Sequence, residues 1–149
     1  MMVRNSGIWL AKVIAIILPL LVGSGAAVSA AEDQYDKCVG STDKNSGWAD
    51  CGNVEIARQE KRLNAAWKKT LGCFDPQYEY MQASKEQLIS DQRLWAKWKD
   101  AACGLFLNGG LGREPQVING PLCKIKIISD RAKWLEELSK DFYVCGAQK

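Results

Sequence analysis

Histidine is absent from all 149 residues. That removes the usual general base of nucleophilic catalysis, the commonest zinc ligand and a common haem ligand together. No C-x-x-C spacing occurs, so thioredoxin-type redox chemistry has no motif to use. Charge of one sign is scarce as well: 20 basic residues face 17 acidic ones, a formal net charge of +3. So small an excess gives no electrostatic pull towards nucleic acid or anionic lipid. Proline occurs four times, and no repeat, low-complexity tract or charge run marks a linker. One domain is expected.

The one long apolar run, VIAIILPLLV at residues 13–22, follows Arg4 and Lys12 and precedes the small residues Val28, Ser29, Ala30 and Ala31. That order is a secretion leader's, and the run is too short for a comfortable membrane span. Residues 1–30 are therefore expected to be cleaved, leaving residues 31–149 as one domain in the periplasm or outside the cell. The first cysteine, Cys38, lies well beyond the cleavage point, so no lipid anchor and no stable membrane attachment are expected. Loss of Arg4 and Lys12 brings the 20 basic residues to about 18 against 17 acidic, a net charge of about +1.

All six cysteines, Cys38, Cys51, Cys73, Cys103, Cys123 and Cys145, follow the leader. An even number in an exported chain points to disulfides, although six cysteines admit many pairings. Helical periodicity narrows them. Within residues 53–71, Ile56, Leu63, Trp67 and Leu71 form one stripe, with Arg58, Lys61, Lys68 and Lys69 opposite. Gly72 ends that helix, and Asp75-Pro76 suits the start of the next. A third stripe, Ile128, Ala132, Leu135, Leu138 and Phe142, follows Asn119-Gly120-Pro121, with a less secure first turn because Ile125 and Ile127 are β-branched. The expected fold is all-α: a small disulfide-stapled bundle of about three main helices running up, down and up. In that arrangement Cys103 and Cys123 share one pole, Cys73 and Cys145 the other, and Cys38 falls to Cys51. Bridges need Cα atoms within about 7 Å, and each of these pairs is local in space.

The middle helix, expected over residues 76–103, contains SDQRLWAKWKDAAC at residues 90–103. Tryptophans among basic groups suit a surface for nucleic acid or polysaccharide, but they also suit a helix core with a solvated back. Met81, Leu88, Trp95 and Ala102 recur every seven residues, and Trp98 widens the stripe by one position. Glu86, Arg93 and Lys97 fall roughly opposite, so the core interpretation is preferred. Lys99 and Gln92 flank the apolar side and need polar partners there. Between the second and third helices, residues 104–121 are rich in glycine and turn formers and are expected to form a loop, with Leu105, Phe106 and Leu107 adding a last turn.

These residues resemble a known family, the lysozyme inhibitor LprI N-terminal domain family. Leu63-Asn64-Ala65-Ala66-Trp67 is similar to the L-N-x-x-aromatic of its first helix. Gln92-Arg93-Leu94-Trp95 followed by Lys99-Asp100-Ala101-Ala102-Cys103 resembles its Q-R-x-W and [RK]-D-x-x-C. Gly109-Gly110, Cys123 and Arg131 with Leu135 resemble its glycine-containing loop, second cysteine and closing helix, and an early cysteine pair recurs there. Cys73 and Cys145 look like an addition to that pattern, and the cysteine that anchors some members to lipid is absent. The resemblance implies an exported, helical, disulfide-bonded bacterial protein that inhibits lysozyme. Leu63, Asn64, Trp67, Gln92, Arg93, Trp95, Asp100 and Arg131 match its motifs, and all have a structural explanation as core residues, caps or ion pairs.

A lysozyme inhibitor would occlude the muramidase cleft non-covalently, with lysozyme as its protein partner. The expected contact residues lie in the glycine-rich loop: Leu105, Phe106, Leu111, Arg113 and Glu114, with Val117 nearby. Closing that loop with a Cys103–Cys123 bridge lowers the ordering cost of binding. The same composition also suits a plain connection between helices, and an envelope scaffold protein with a different partner is the alternative function. Catalysis is not expected. Asp91, Asp100, Glu136 and Glu137 sit at helix positions that solvation explains, while Ser84, Ser90, Ser129 and Ser139 have no histidine to activate them. Neither a metal nor a cofactor is expected.

Overall fold

The computed structural model describes residues 26–146, with side chains from residue 31 onward. The apolar run of the expected leader lies outside the described residues. Seven helices make up the described chain: α1 (Ala26–Val39), α2 (Asn45–Leu71), α3 (Glu79–Ala102), α4 (Gly104–Leu107), α5 (Arg113–Val117), α6 (Asn119–Leu138) and α7 (Phe142–Cys145). Among the described residues there is no strand. No helix of the described part is long and apolar enough to cross a membrane.

The all-α class stands, but the expected count of about three main helices is too low. α1 is a fourth long helix, and short turns fill the loop and the C-terminus. α1 escapes notice in the sequence because its buried face is Ala31 and Tyr35, a single large side chain, so there is no stripe to find. α2 begins at Asn45, earlier than expected, because Gly52 does not interrupt it. A Cβ on Gly52 would lie 2.5 Å from Cβ of Pro121, so glycine there allows α6 to approach α2 closely. α3 begins at Glu79 and not at Pro76, since Asp75 spends its carboxylate on a local turn, accepting from the Gln77 amide at 2.8 Å.

α2 and α6 share the largest interface and run parallel: Gly52 meets Pro121, and Thr70 meets Leu135. α3 runs antiparallel to both and packs Met81 and Leu88 against Leu63 and Ala66 of α2 and Ile128, Ala132 and Leu135 of α6. α1, also antiparallel, closes the other half of the pair, where Ala31 and Tyr35 meet Cys51 and Ile125.

The stripe read on α2 shares only Leu63 with its fully buried face, and Ile56, Trp67 and Leu71 lie at the edge. The fully covered positions are Cys51, Gly52, Glu55, Gln59, Leu63, Ala66 and Thr70, several of them polar. They are buried because they are paired. Glu55 accepts from Arg58 Nε at 2.8 Å and Nη2 at 2.6 Å and from Gln59 Nε2 at 2.8 Å. Arg62 Nη1 donates to Gln59 Oε1 at 3.3 Å and to Ser129 Oγ at 3.2 Å. Its Nε and Nη2 grip Glu136 at 2.7 and 2.6 Å. The Thr70 hydroxyl lies 2.9 Å from the Leu135 carbonyl and 3.0 Å from that of Ala66, with one proton to donate between them. A buried polar group costs about 1–3 kcal/mol when unpaired, so this chain of contacts penalises any slip of α2 along α6.

Three residues assigned to core stripes in the sequence, Trp98, Ala102 and Phe142, lie outside the core. Trp98 is 55% exposed: Trp95 takes the place against the main cluster, and Trp98, three residues on, lies over the outer face of α6 beside Ile127 and Trp134. Phe142 is 71% exposed: α6 stops at Leu138, and Asp141 starts a new turn by accepting from the Tyr143 amide at 2.8 Å, which breaks the helical phase. The bridges are Cys38–Cys51, Cys73–Cys145 and Cys103–Cys123, with Cα separations of 5.7, 4.7 and 5.9 Å. No described cysteine is free.

Cys73 and Cys145 are 72 residues apart, a loop whose closure is worth about 4 kcal/mol in the chain-entropy model. Replacing both by alanine is expected to lower the unfolding free energy by about that amount in denaturant titration. A loss below about 1 kcal/mol would show that packing alone holds the two ends together. A second expectation concerns acid. Hydrogen bonds from Arg62 hold the Glu136 carboxyl below its ordinary value of 4.5, opposed by partial burial and helped by the charges of Arg62, Lys140 and Lys69. A depressed carboxylate contributes stability above its unfolded value and loses it as pH falls through the lower folded value. The thermal midpoint should therefore drop on acidification below 4.5, and less steeply in Glu136→Gln. Identical acid limbs for the two proteins would refute the assignment.

Candidate protein-binding surface

The disulfide-closed segment between α3 and α6 is ordered throughout. Buried Cys103 anchors it, and its carbonyl accepts from the amides of Phe106 and Leu107 to start α4. Asn108 Oδ1 then accepts from the Gly110 amide at 2.8 Å, and Gly112 donates to the Gly109 carbonyl at 3.1 Å. α5 is tied back to α4 by Gln116 Nε2, which donates to the Leu107 carbonyl at 3.2 Å, and Val117 is buried beneath it. Leu107 also packs on Gly120, where a Cβ would sit 2.5 Å from Leu107 Cδ2, so a larger residue there would push the leucine aside. From α1, the Tyr35 hydroxyl donates to the Ile118 carbonyl at 2.8 Å. Burial, helped by the negative charge of Asp36, pushes that hydroxyl's pKa up to about 12.

Held this way, the segment projects four of the five residues singled out in the sequence. Leu105 is 63% and Leu111 51% exposed, and Arg113 and Glu114 are exposed beside them. Arg113 Nη1 donates to Gln116 Oε1 at 2.8 Å. Phe106 is half-buried and turns towards Leu122 and Ile127, lining a groove of about 350 Å³. The surface therefore offers two exposed leucines and one charge of each sign on a pre-ordered base. It holds no nucleophile–base pair.

The motif residues divide between core and surface. Leu63 is buried and Trp67 packs on the main core cluster, whereas Asn64 and Arg93 are exposed. Lys99 sits between Glu60, at 3.7 Å, and Asp100, at 3.1 Å, which gives the exposed Asp100 a partner on its own helix. Gln92 Oε1 accepts from Arg131 Nε at 2.8 Å. The Arg131 guanidinium lies 4.3 Å from the ring centre of Trp134 and 5.7 Å from that of Trp95. Burial lowers its pKa below the ordinary value against the pull of Asp91, and its Nη2 is buried without a hydrogen-bond partner. Trp134 was not singled out in the sequence. The available signal was its place three residues after Arg131, which puts both on one face of α6.

The protein family described as lysozyme inhibitor LprI matches residues 38–135, about two-thirds of the chain. That span takes in the Cys38–Cys51 and Cys103–Cys123 bridges and the whole projecting segment, and leaves out Cys145. No curated protein and no solved structure matches the chain. Three disulfides in a chain of this family accord with an oxidising extracellular or envelope compartment. The chain belongs to the LprI family of lysozyme inhibitors.

Proposed function

We propose that this protein is an exported inhibitor that occludes the active cleft of a lysozyme without covalent chemistry, with residues 103–123 as the inserting element. It would act in the periplasm or outside the cell after removal of residues 1–30. The observation that carries this reading is the pair Leu105 and Leu111, left more than half exposed on a segment closed by a disulfide. Burying an exposed leucine is worth about 1.5–3 kcal/mol, and a segment already ordered loses little entropy on docking. Arg113 and Glu114 then supply polar contacts at the rim, where charges set orientation more than affinity. With a net charge near neutral, long-range attraction to a cationic lysozyme is weak, so short-range apolar contact has to supply the affinity.

The test is to titrate chicken-type and goose-type lysozymes with the oxidised protein and follow residual activity. Stoichiometric inhibition of at least one class is expected. The double variant Leu105→Asp, Leu111→Asp alters exposed side chains only, so it should fold normally and inhibit about 100-fold less well. Folded protein that inhibits neither class, or that inhibits equally well with both leucines changed, would reject the proposal.

A further inference from the structure

α6 has a second face. Ile125, Ile128, Ser129, Ala132 and Leu135 turn into the core, while Leu122, Lys126, Ile127, Asp130 and Trp134 share the outer side at three- and four-residue intervals. Two hollows lie along that side. One, of about 350 Å³, is walled by Phe106 and floored by Leu122; the other, of about 270 Å³, is walled by Trp95, Trp98 and Trp134. Both are lined by Ile127, so the two hollows adjoin along this side of α6. From Asn119 to Trp134 they extend about 22 Å at the helical rise of about 1.5 Å per residue.

We propose that this groove binds a glycan strand, namely an uncharged oligomer of N-acetylated hexopyranose units. The chemistry of its walls favours that ligand. Trp98 and Trp134 are 55% and 42% exposed although each is a large rigid ring, and flat indoles suit the C–H faces of a pyranose. Beside them stand an acceptor, the exposed Asp130 carboxylate, and the Arg131 guanidinium, which lines the same hollow and stacks on Trp134 at 4.3 Å. Sugar hydroxyls both donate and accept, so they suit a groove whose rim carries polar groups of both kinds. At the other end, Phe106, Leu122 and Ile127 offer an apolar recess for an acetamido methyl group.

Charge argues against a polyanion. Arg131 is faced by Asp91 and adjoined by Asp130, and Lys126 lies 3.5 Å from Glu32, so no net positive potential lines the groove. The Phe106 end of the site lies within the inserting element, but Trp98, Asp130 and Trp134 lie outside it and neither Leu105 nor Leu111 lines the groove. Changes at the tryptophans and at the leucines therefore tell glycan binding and lysozyme inhibition apart.

The experiment is a titration of the oxidised protein, with no lysozyme present, with N-acetylchitotetraose, followed by tryptophan fluorescence and calorimetry. Saturable binding is expected, weakened about ten-fold or more in Trp98→Ala and Trp134→Ala and clearly reduced in Asp130→Asn, which changes an exposed carboxylate and should not disturb folding. Leu105→Asp should bind the sugar as the parent does. Circular dichroism of each variant confirms that the folded protein is being compared. No binding by the parent, binding that survives both tryptophan changes, or stronger binding of an anionic heparin oligosaccharide would overturn the proposal. So would loss of lysozyme inhibition in Trp134→Ala with no sugar bound by the parent, since the groove would then be a protein contact.

Discussion

The two-pronged contact of Arg62 with Glu136, made across α2 and α6, sits within a run of buried polar groups that fixes how these helices lie against each other. A hydrophobic face tolerates sliding, because one leucine replaces another with little loss. A bidentate guanidinium–carboxylate pair, backed by Gln59, Ser129 and Thr70, does not, because a shift of one turn would leave several donors buried and unpaired. With α2 and α6 set in parallel, α3 and α1 have two remaining grooves to fill, and both run antiparallel to the pair.

The poles follow from that register. At one end, the start of α6 comes to the end of α3, which lets Cys103 and Cys123 close the intervening segment. Close packing of Leu107 on Gly120, and of Pro121 on Gly52, presses the segment's inner side onto α2 and α6. Its outer side is left with leucines that no other described residue covers. At the other end, Cys73 and Cys145 tie the last turn, which lies outside the span that the family shares, to the end of α2. The fold therefore separates a rigid base, whose stability comes from polar register and disulfides, from an apolar tip with no evident structural task.

Much of this was legible in the sequence wherever a large apolar residue recurred at helical spacing. The stripes over Leu63, over Met81 and Leu88, and over Ile128 to Leu135 correspond to α2, α3 and α6. Two kinds of feature were hidden. Glu55, Gln59, Thr70 and Ser129 are buried, yet polar residues in a stripe look like solvent positions until their partners are known. Small residues conceal a face in the same way, which is why α1 went unseen. Trp98 and Phe142 mislead in the opposite direction. Trp98 continues an apolar period onto the margin of α3 that α6 only partly covers, and Phe142 continues one past the point where the chain turns; periodicity alone cannot say how far a neighbour's cover reaches. At the projecting segment, residue chemistry pointed to Leu105 and Leu111, but the inward turn of Phe106 depends on α4 folding against α6. The meeting of Gln92, Trp95, Arg131 and Trp134 depends on two helices far apart in sequence.

Amide hydrogen exchange of the oxidised protein, alone and with an equimolar lysozyme that it inhibits, most directly tests whether the stapled segment is the inhibitory surface. Slower exchange within residues 104–118, with α1 and the outer half of α3 unchanged, is the result expected. Protection confined to other faces, with the segment exchanging as in the free protein, would contradict it.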